Sequence, residues 1–434
     1  MNTSIPPTCD VLIIGGGPAG SIAASLLVMK GIDVVVLEKE KFPRYKVGES
    51  LIPHFWKYTD AIGASEKIIS EGFIQKAGGF VYWEDRLRSV SFKDFGFKRS
   101  ALHVERGRFD QILLDHASGL GANVFNEVTV TNVQQFESYN LVEYDQAGHQ
   151  TKAVLKAAYV IDASGQQVVL AKKNQWIEYD QKYKFQSFWA YFDHTSYLNA
   201  SCQIKSFDER FTDPPMTLIS STGDWGWIWK IMLRDKVSIG AIIPQEHLGR
   251  FKAYGSGLED RFTNYLADAP LISTLTAGSS IVSGVMSVKD YTYRSRHFAF
   301  DQCYLIGDAA AFFDPINSEG ITMAMYSGYL AAWAIEGSIK RPRRKLFYRD
   351  SYIRNMKTRL TLFYLLTYPD KNIPEELLIS VRESILQQSD TENYLTFCQL
   401  TLTNRGRGFD DILKHYGMNL KQVIRNVEIP DALI

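Results

Sequence analysis

Three glycines near the start of the chain have the spacing of a phosphate-binding turn. Gly15, Gly17 and Gly20 follow the apolar run Val11–Ile14, which is typical of a buried parallel strand. In such a turn the first glycine makes the bend, the second lets backbone N–H groups approach a pyrophosphate, and the third lets helix and strand pack closely. The helix that follows presents its N-terminus to the anion. The pattern predicts a dinucleotide site.

An acidic residue completes this unit. A second apolar run, 34–37, ends at Glu38, about 20 residues after the glycines, where a carboxylate binds a ribose hydroxyl. Strand, helix, strand and acid therefore occur in the expected order, and a chance turn is the less favoured interpretation. We expect four further residues to contact the dinucleotide: Pro18, Ala19, Lys39 and Arg44.

Composition excludes several classes of function. The 434 residues contain 48 basic and 48 acidic side chains, so bulk charge does not indicate a nucleic-acid partner. Apolar runs such as 362–366 are far shorter than the roughly 18 residues of a membrane span. The first strand begins near Asp10, so we expect no signal peptide. Cysteines 9, 202, 303 and 398 lack metal or disulfide spacing, so we expect reduced thiols in a cytoplasmic protein.

The pattern of strands changes along the chain. Apolar strands alternate with helices up to about residue 180, whereas aromatic and β-branched strands without helices fill 185–288, which predicts an antiparallel sheet. A buried apolar strand is predicted again at 303–308. The region after 341 is predicted to be mainly helical. It contains an aromatic patch formed by Phe347, Tyr348, Phe363, Tyr364 and Tyr368. The predicted organisation is a dinucleotide-binding domain in two parts (1–180 and 289–340), a substrate domain (181–288) and a helical C-terminal region (341–434).

Three further motifs identify the dinucleotide. Arg106-Gly-Arg-Phe-Asp110, Asp162-Ala-Ser-Gly165 and Gly307-Asp308-Ala-Ala310 follow one another as in the flavoprotein monooxygenase superfamily, which the chain resembles from about residue 8 to 340. The resemblance implies FAD on a Rossmann-like domain with an inserted antiparallel sheet. It also implies that Arg106 contacts the cofactor and that Asp308 holds its ribityl chain.

Within that superfamily the chain resembles flavin-dependent halogenases of the phenol and pyrrole type. Three stretches carry this resemblance: Lys46-Val-Gly48-Glu49-Ser50-Leu51-Ile-Pro53, Phe73-Ile-Gln-Lys76-Ala-Gly78-Gly79 and Asp314-Pro315-Ile-Asn-Ser318-Glu319-Gly320. The resemblance implies that Gly48, Ser50, Pro315 and Gly320 contact FAD and that Ser318, Glu319 and Gly320 hold a halide. It makes Lys76 and Glu49 the catalytic residues.

The implied chemistry makes demands on these residues. Reduced FAD and O2 oxidise a bound halide, and a lysine ammonium directs the hypohalous acid to an electron-rich ring. A halide needs converging N–H donors, which a helix beginning at Glu319 or Gly320 would supply. We expect the Lys76 ammonium to lie on a tunnel between flavin and substrate, although a single lysine is most often a surface residue.

Two departures from the halogenase pattern leave alternatives open. The halogenase motif W-x-W-x-I-P appears as Trp227-Ile-Trp229-Lys-Ile-Met232, with methionine in place of proline; both tryptophans are expected in the substrate pocket. Glu319 stands where halogenases usually have a small residue, and a carboxylate there would repel a halide unless its side chain points away. Hydroxylation of an aromatic or peptidyl substrate, a geranylgeranyl-reductase-like activity and a non-enzymatic flavin scaffold therefore remain alternatives.

Partners follow from what the sequence contains. No second nucleotide fingerprint is visible, so reduced flavin is expected from a separate flavin reductase. The substrate is expected to be an electron-rich aromatic, free or tethered to a carrier protein or peptide. The choice between chloride and bromide stays open.

Overall fold

The computed structural model describes residues 4–83, 85–146, 153–222, 225–367, 425–430 and 433. Within these residues, no helix combines the length and apolarity that a membrane crossing requires.

The first 173 residues contain both strands and helices. In chain order these elements are β1 (Thr8–Ile14), α1 (Pro18–Val28), β2 (Val34–Leu37), α2 (Phe55–Ile62), α3 (Ser65–Ser70), β3 (Ile74–Lys76), β4 (Gly78–Trp83), β5 (Arg86–Ser91), β6 (Ala101–His103), α4 (Arg106–Gly119), β7 (Asn123–Phe125), β8 (Val128–Gln135), β9 (Asn140–Gln146), β10 (Ala153–Asp162) and α5 (Val169–Lys173).

Strands dominate the middle of the chain, and two long helices follow. The elements are β11 (Ile177–Phe192), β12 (Tyr197–Leu198), β13 (Ile204–Lys205), β14 (Met216–Ser221), β15 (Trp227–Met232), β16 (Val237–Pro244), α6 (Leu248–Lys252), α7 (Leu258–Ala267), α8 (Pro270–Leu275), β17 (Met286–Ser295), β18 (Ala299–Phe300), β19 (Cys303–Leu305), β20 (Ala311–Phe312), α9 (Gly320–Lys340), α10 (Lys345–Thr367) and β21 (Arg425–Val427).

The first sheet is the dinucleotide-binding layer. Its described strands run in the order β18-β19-β10-β1-β2-β7, and β1 pairs in parallel with both β2 and β10. All four residues of β2 are buried, as the continuous apolar run predicted. Strands β8 and β9 form a hairpin that pairs antiparallel beside β10. The carboxyl end of β1 therefore places its glycine turn at the edge of the sheet where ligands bind in doubly wound α/β folds.

Helices α1 and α9 cover this edge in close contact. A Cβ built on Gly328 of α9 would lie 2.4 Å from the carbonyl oxygen of Ala19 in α1, so only glycine fits at this position. This contact gives the physical reason for a glycine in the middle of a long helix. The start of α9 is thereby fixed beside the start of α1.

The second sheet extends further along the chain than the predicted range 181–288. Its described strands run in the order β20-β17-β11-β16-β15-β14-β4-β5-β21, so strands from before 92 and after 310 join it. The pairs are antiparallel except β14 with β4, which is parallel. Helices α6, α7 and α8 interrupt the segment that was expected to contain strands alone. The predicted domain boundaries remain predictions.

The described part of the C-terminal region is helical only in part. Helix α10 packs on the first sheet, where the Tyr352 hydroxyl donates to the carbonyl of Leu305 at 2.6 Å. Strand β21 instead pairs with β5 at the edge of the second sheet. Phe347 is 56% exposed, whereas Phe363 is buried, so these two aromatic residues do not share one surface. Tyr368 and Cys398 lie outside the described residues.

Candidate active site

The glycine turn forms a cradle with an open face. Gly15 has a φ of +106°, and a Cβ there would lie 2.5 Å from the Ala163 carbonyl oxygen. A Cβ on Gly20 would lie 2.1 Å from the Gly15 carbonyl oxygen. Gly17 differs, because a Cβ on it would meet only the Arg44 guanidinium, at 3.3 Å. The turn is thus close-packed behind and open in front, where the start of α1 presents N–H groups to a pyrophosphate.

Glu38 holds the cradle in shape. Its Oε2 accepts a hydrogen bond from the Gly16 amide at 2.7 Å, and its Oε1 accepts one from the Glu40 amide at 2.9 Å. The side chain lines the same cavity as Gly15 and Gly17. The position agrees with the predicted ribose contact.

Arg106 and Arg44 share one buried carboxylate. Arg106 donates to both oxygens of Asp110, at 2.9 and 3.0 Å, and to the Val47 carbonyl at 2.9 Å. Arg44 donates to Asp110 at 3.0 Å. Arg106 begins α4, so this network fixes the loop that contains Gly48 against the helix. Both arginines line the cavity, which supports their predicted contacts with FAD.

Asp308 lies close to Lys46, which was not among the predicted cofactor contacts. Burial raises the pKa of Asp308, and nearby Lys46 and Arg106 act against that increase. Burial lowers the pKa of Lys46. Both side chains line the cavity. In the sequence Lys46 belongs to a loop, and no motif there indicated that it would lie near Asp308.

One cavity of about 600 Å³ connects these groups. This volume lies in the ordinary range of cofactor pockets. Its wall contains the predicted contacts Gly15, Gly17, Pro18, Ala19, Glu38, Lys39, Arg44, Gly48, Ser50, Arg106, Asp308, Pro315 and Gly320. Gly20 lies behind the wall, in keeping with its packing role. Anion cradle, acidic ribose partner and basic cluster together fit FAD.

Glu49 is a buried acid on the cavity wall. It is 2% exposed, and its Oε1 accepts a hydrogen bond from the Tyr191 hydroxyl at 2.6 Å. Burial raises the pKa of Glu49, while the Tyr191 hydrogen bond acts in the opposite direction. The tyrosine on β11 was not singled out in the sequence.

Lys76 is buried, but it does not line the cavity. It is 2% exposed, and its Nζ donates to the Ser50 hydroxyl at 2.8 Å and to the Leu51 carbonyl at 3.0 Å. Burial lowers the pKa of Lys76 to about 7. Ser50, to which Lys76 donates, does line the cavity, so the predicted catalytic role of Lys76 stays a prediction. The interpretation of Lys76 as a surface lysine is wrong, because the side chain is buried.

The Ser50 hydroxyl connects several parts of the site through hydrogen bonds. Its Oγ lies 3.1 Å from the Ser318 hydroxyl, which donates to it, and 3.1 Å from the Thr217 hydroxyl. The Thr217 hydroxyl is in turn 2.7 Å from Nε2 of His103. One serine oxygen thus joins the buried lysine to the segment predicted to bind halide. Thr217 and His103 were missed, because no local motif marks either residue.

The segment from Asp314 to Gly320 ends in a tight turn before α9. The Asp314 side chain accepts a hydrogen bond from the Ile316 amide at 3.0 Å, and Ser318 has a φ of +56°. Ser318 and Gly320 line the cavity, whereas the Glu319 side chain is not part of its wall. The Glu319 side chain therefore points away from the cavity, as a halide site at residues 318–320 requires.

Strand β15 places its tryptophans on the cavity side of the sheet. Trp227, Trp229 and Ile231 line the cavity. The alternate residues face the other side, where Lys230 Nζ lies 3.2 Å from Met232 Sδ. The substitution of methionine for proline therefore alters the side of the strand that faces away from the cavity.

Comparison with known proteins decides the family. The FAD binding domain family matches residues 8–354. The flavin-dependent halogenase armH4 of Armillaria mellea is 30% identical over 91% of this chain and 76% of its own. A chlorinase of the 1H-pyrrole-2-carbonyl group on a peptidyl carrier protein, from Pseudomonas fluorescens, is 31% identical over 76% of each chain. The chain is a flavin-dependent halogenase.

Solved halogenase structures share the fold. The chondrochloren halogenase CndH superposes with a TM-score of 0.75 at 25% identity, covering 93% of this chain and 98% of its own. The halogenase CmlS superposes with a TM-score of 0.74 at 24% identity, covering 95% and 78%. The predicted cofactor, fold class and enzyme class are confirmed. The residue roles within the halogenase site remain predictions.

Proposed function

We propose that this halogenase places chlorine or bromine on an electron-rich, nitrogen-containing aromatic ring carried by a carrier protein. Two relatives support the ring class: one is named as a tryptophan 2-halogenase from Chondromyces crocatus, and the Pseudomonas relative is named for a carrier-bound pyrrole. The aromatic cavity wall formed by Trp189, Trp227 and Trp229 suits a flat, electron-rich ring.

FAD supplies the redox chemistry when bound and reduced, since it provides the electrons with which O2 becomes an oxidant of the halide. The chain itself binds FAD and orients it. Gly17 and the start of α1 hold the pyrophosphate, Glu38 holds the ribose, and Asp308 with Arg106 holds the flavin end.

A single observation carries the proposal: the Ser50 hydroxyl joins Lys76 Nζ, at 2.8 Å, to the Ser318 hydroxyl, at 3.1 Å. The N–H groups at the start of α9 hold the halide on the Ser318 side. Lys76 donates a hydrogen bond to the Ser50 hydroxyl, which also contacts Ser318. Because burial lowers the pKa of Lys76 to about 7, its amine can hold or release a proton near neutral pH. Glu49, a buried acid on the cavity wall, accepts the proton that the substituted ring releases.

Two partner assignments belong to this proposal. A separate flavin reductase delivers reduced FAD, because the sequence contains one dinucleotide fingerprint. A cytoplasmic location is supported by Cys9, Cys202 and Cys303, which are buried free thiols.

Mass spectrometry tests the proposal. The enzyme is incubated with FAD, a flavin reductase, NADH, O2 and either chloride or bromide, with pyrrole-2-carboxylate and indole substrates offered free and on a carrier protein. We expect a product whose mass increase follows the halide and whose yield is at least about tenfold higher for the tethered ring. A hydroxylated product that forms with or without halide would instead establish the hydroxylase alternative.

A further inference from the structure

Glu319 presents a physical problem inside the proposed halide segment. Its side chain is fully buried, and it lies between Ser318 and Gly320, both of which line the cavity. A buried carboxylate is costly without a compensating charge, and it raises the energy of any anion bound nearby. The side chain makes no capping hydrogen bond at the start of α9, so the helix end does not provide its hydrogen-bond partner.

The compensating charge comes from α10. Arg359 Nη2 lies 3.9 Å from Glu319 Oε2, and the Arg359 side chain is only 13% exposed. His54 is a titratable group near Arg359. Burial lowers the pKa of His54 to about 3, and Arg359 and Lys57 act in the same direction. His54 is therefore neutral near pH 7 and adds no charge beside the Arg359–Glu319 pair.

Helix α10 is also part of the cavity wall. Met356, Leu360 and Phe363 line the cavity, and their spacing places them on one helical face. Arg359 directly precedes Leu360 on that helix. The same helix thus closes the cavity and carries the cation that reaches the halide segment.

We propose that Arg359 is a positioning residue of the halide site. It draws the Glu319 carboxylate away from the cavity and neutralises it, so that Ser318 and the start of α9 present only N–H and O–H donors to the halide. This inference rests on the proposed halide role of residues 318–320. It explains how the chain retains a carboxylate in an anion-binding segment.

The test separates charge from packing with four variants. Arg359→Gln removes the cation that lies 3.9 Å from Glu319 Oε2, and we expect the KM for bromide to rise at least about tenfold while kcat at saturating bromide stays within about threefold. Glu319→Gln with Arg359→Gln removes both charges, and we expect the bromide KM to return to within about threefold of wild type. Arg359→Lys should fall between them. Arg354→Gln, at an exposed position of the same helix, is the matched control and should leave KM unchanged.

A second measurement uses the protein without FAD. Thermal unfolding of wild type, Arg359→Gln, Glu319→Gln and the double variant forms a cycle, and the double variant should lose less stability than the sum of the two single losses. An unchanged bromide KM in Arg359→Gln, with wild type dependent on halide, would refute this inference alone. A double variant whose bromide KM is no lower than that of Arg359→Gln would refute it as well. A wild type whose product does not depend on halide would refute the proposed function too, and the unfolding cycle would still report the pair.

Discussion

The two buried lysines provide a matched test of catalysis. Lys76 and Lys230 are each 2% exposed, and burial lowers the pKa of each to about 7. They differ in their partners, since Lys76 donates to Ser50 and Leu51 oxygens, whereas Lys230 has the Met232 sulfur at 3.2 Å. Replacing each with methionine keeps most of the side-chain volume and removes the amine.

The stability effects follow from the lowered pKa values. A lysine whose folded pKa is about 7, against its usual 10.5, destabilises the fold most below pH 7, and the cost disappears as pH rises to 10.5. At pH 8 each lysine costs on the order of 3 kcal/mol. Lys230→Met should therefore stabilise the protein by roughly 2–3 kcal/mol at pH 8 and by under about 1 kcal/mol at pH 10. Lys76→Met should gain less, because the Leu51 carbonyl loses its donor.

Urea unfolding at the two pH values measures these changes, and product formation measures catalysis. We expect Lys76→Met to lower turnover by about 10²–10⁴-fold with FAD affinity and flavin reoxidation unchanged. Lys230→Met should stay within about threefold of wild type. Lys76→Arg should not restore activity, because a planar guanidinium does not replace a compact ammonium. Equal loss in both methionine variants, or an active Lys76→Met, would refute the assigned role.

Three further predictions concern the cofactor and the central serine. Gly17→Val should lower FAD affinity at least about 100-fold by isothermal titration, because its side chain fills the open face of the pyrophosphate cradle. Arg106→Lys should weaken FAD binding about tenfold in the same titration, because an ammonium cannot bond both Asp110 oxygens and the loop carbonyl. Ser50→Ala should reduce halogenation at least about tenfold while the flavin spectrum of the bound protein stays unchanged, because the link between lysine and halide segment is lost.

Each of these changes has its own control. Gly249→Ala, where no atom lies within 4 Å of the new Cβ, should leave FAD binding intact, and Gly17→Val with wild-type affinity would place the cofactor elsewhere. Arg108→Lys, in the same motif but 44% exposed, should bind FAD normally, and equal affinity for Arg106→Lys would contradict the anchoring role. Ser118→Ala, at a half-buried position of α4, is the control for the central serine, and full activity of Ser50→Ala would show that its hydroxyl is dispensable.

Local motifs predicted the cofactor half of the site. Residues 11–20 and Glu38 are close in sequence, and strand period, turn glycines and capping rules act over that distance, so the fold of the cradle followed from them. The carboxyl ends of β1 and β10 meet because parallel strands align their ends. The Arg106 and Asp308 contacts needed the family resemblance, since nothing local distinguishes them.

The halogenation half depends on contacts between distant segments. Ser50 and Thr217 are 167 residues apart, and Ser50 and Ser318 are 268 apart. Side-chain periodicity does not report such distances, so the position of Lys76 behind Ser50 was not foreseen. Arg359 lies on a helix that carries no motif, and its pairing with Glu319 could be found only from the structure. The membership of strands outside 181–288 in the second sheet was missed for the same reason, because their partners are remote in sequence.

The most direct measurement of the central claim is the position of bromide in a crystal of the FAD complex. Anomalous scattering at the bromine edge locates the ion without assumptions about its ligands. The account predicts a peak in hydrogen-bond contact with backbone N–H groups of residues 318–320, on the cavity side of Ser50 and facing away from the Glu319 carboxylate. A peak only at surface lysines and arginines, or an empty segment at saturating bromide, would contradict it.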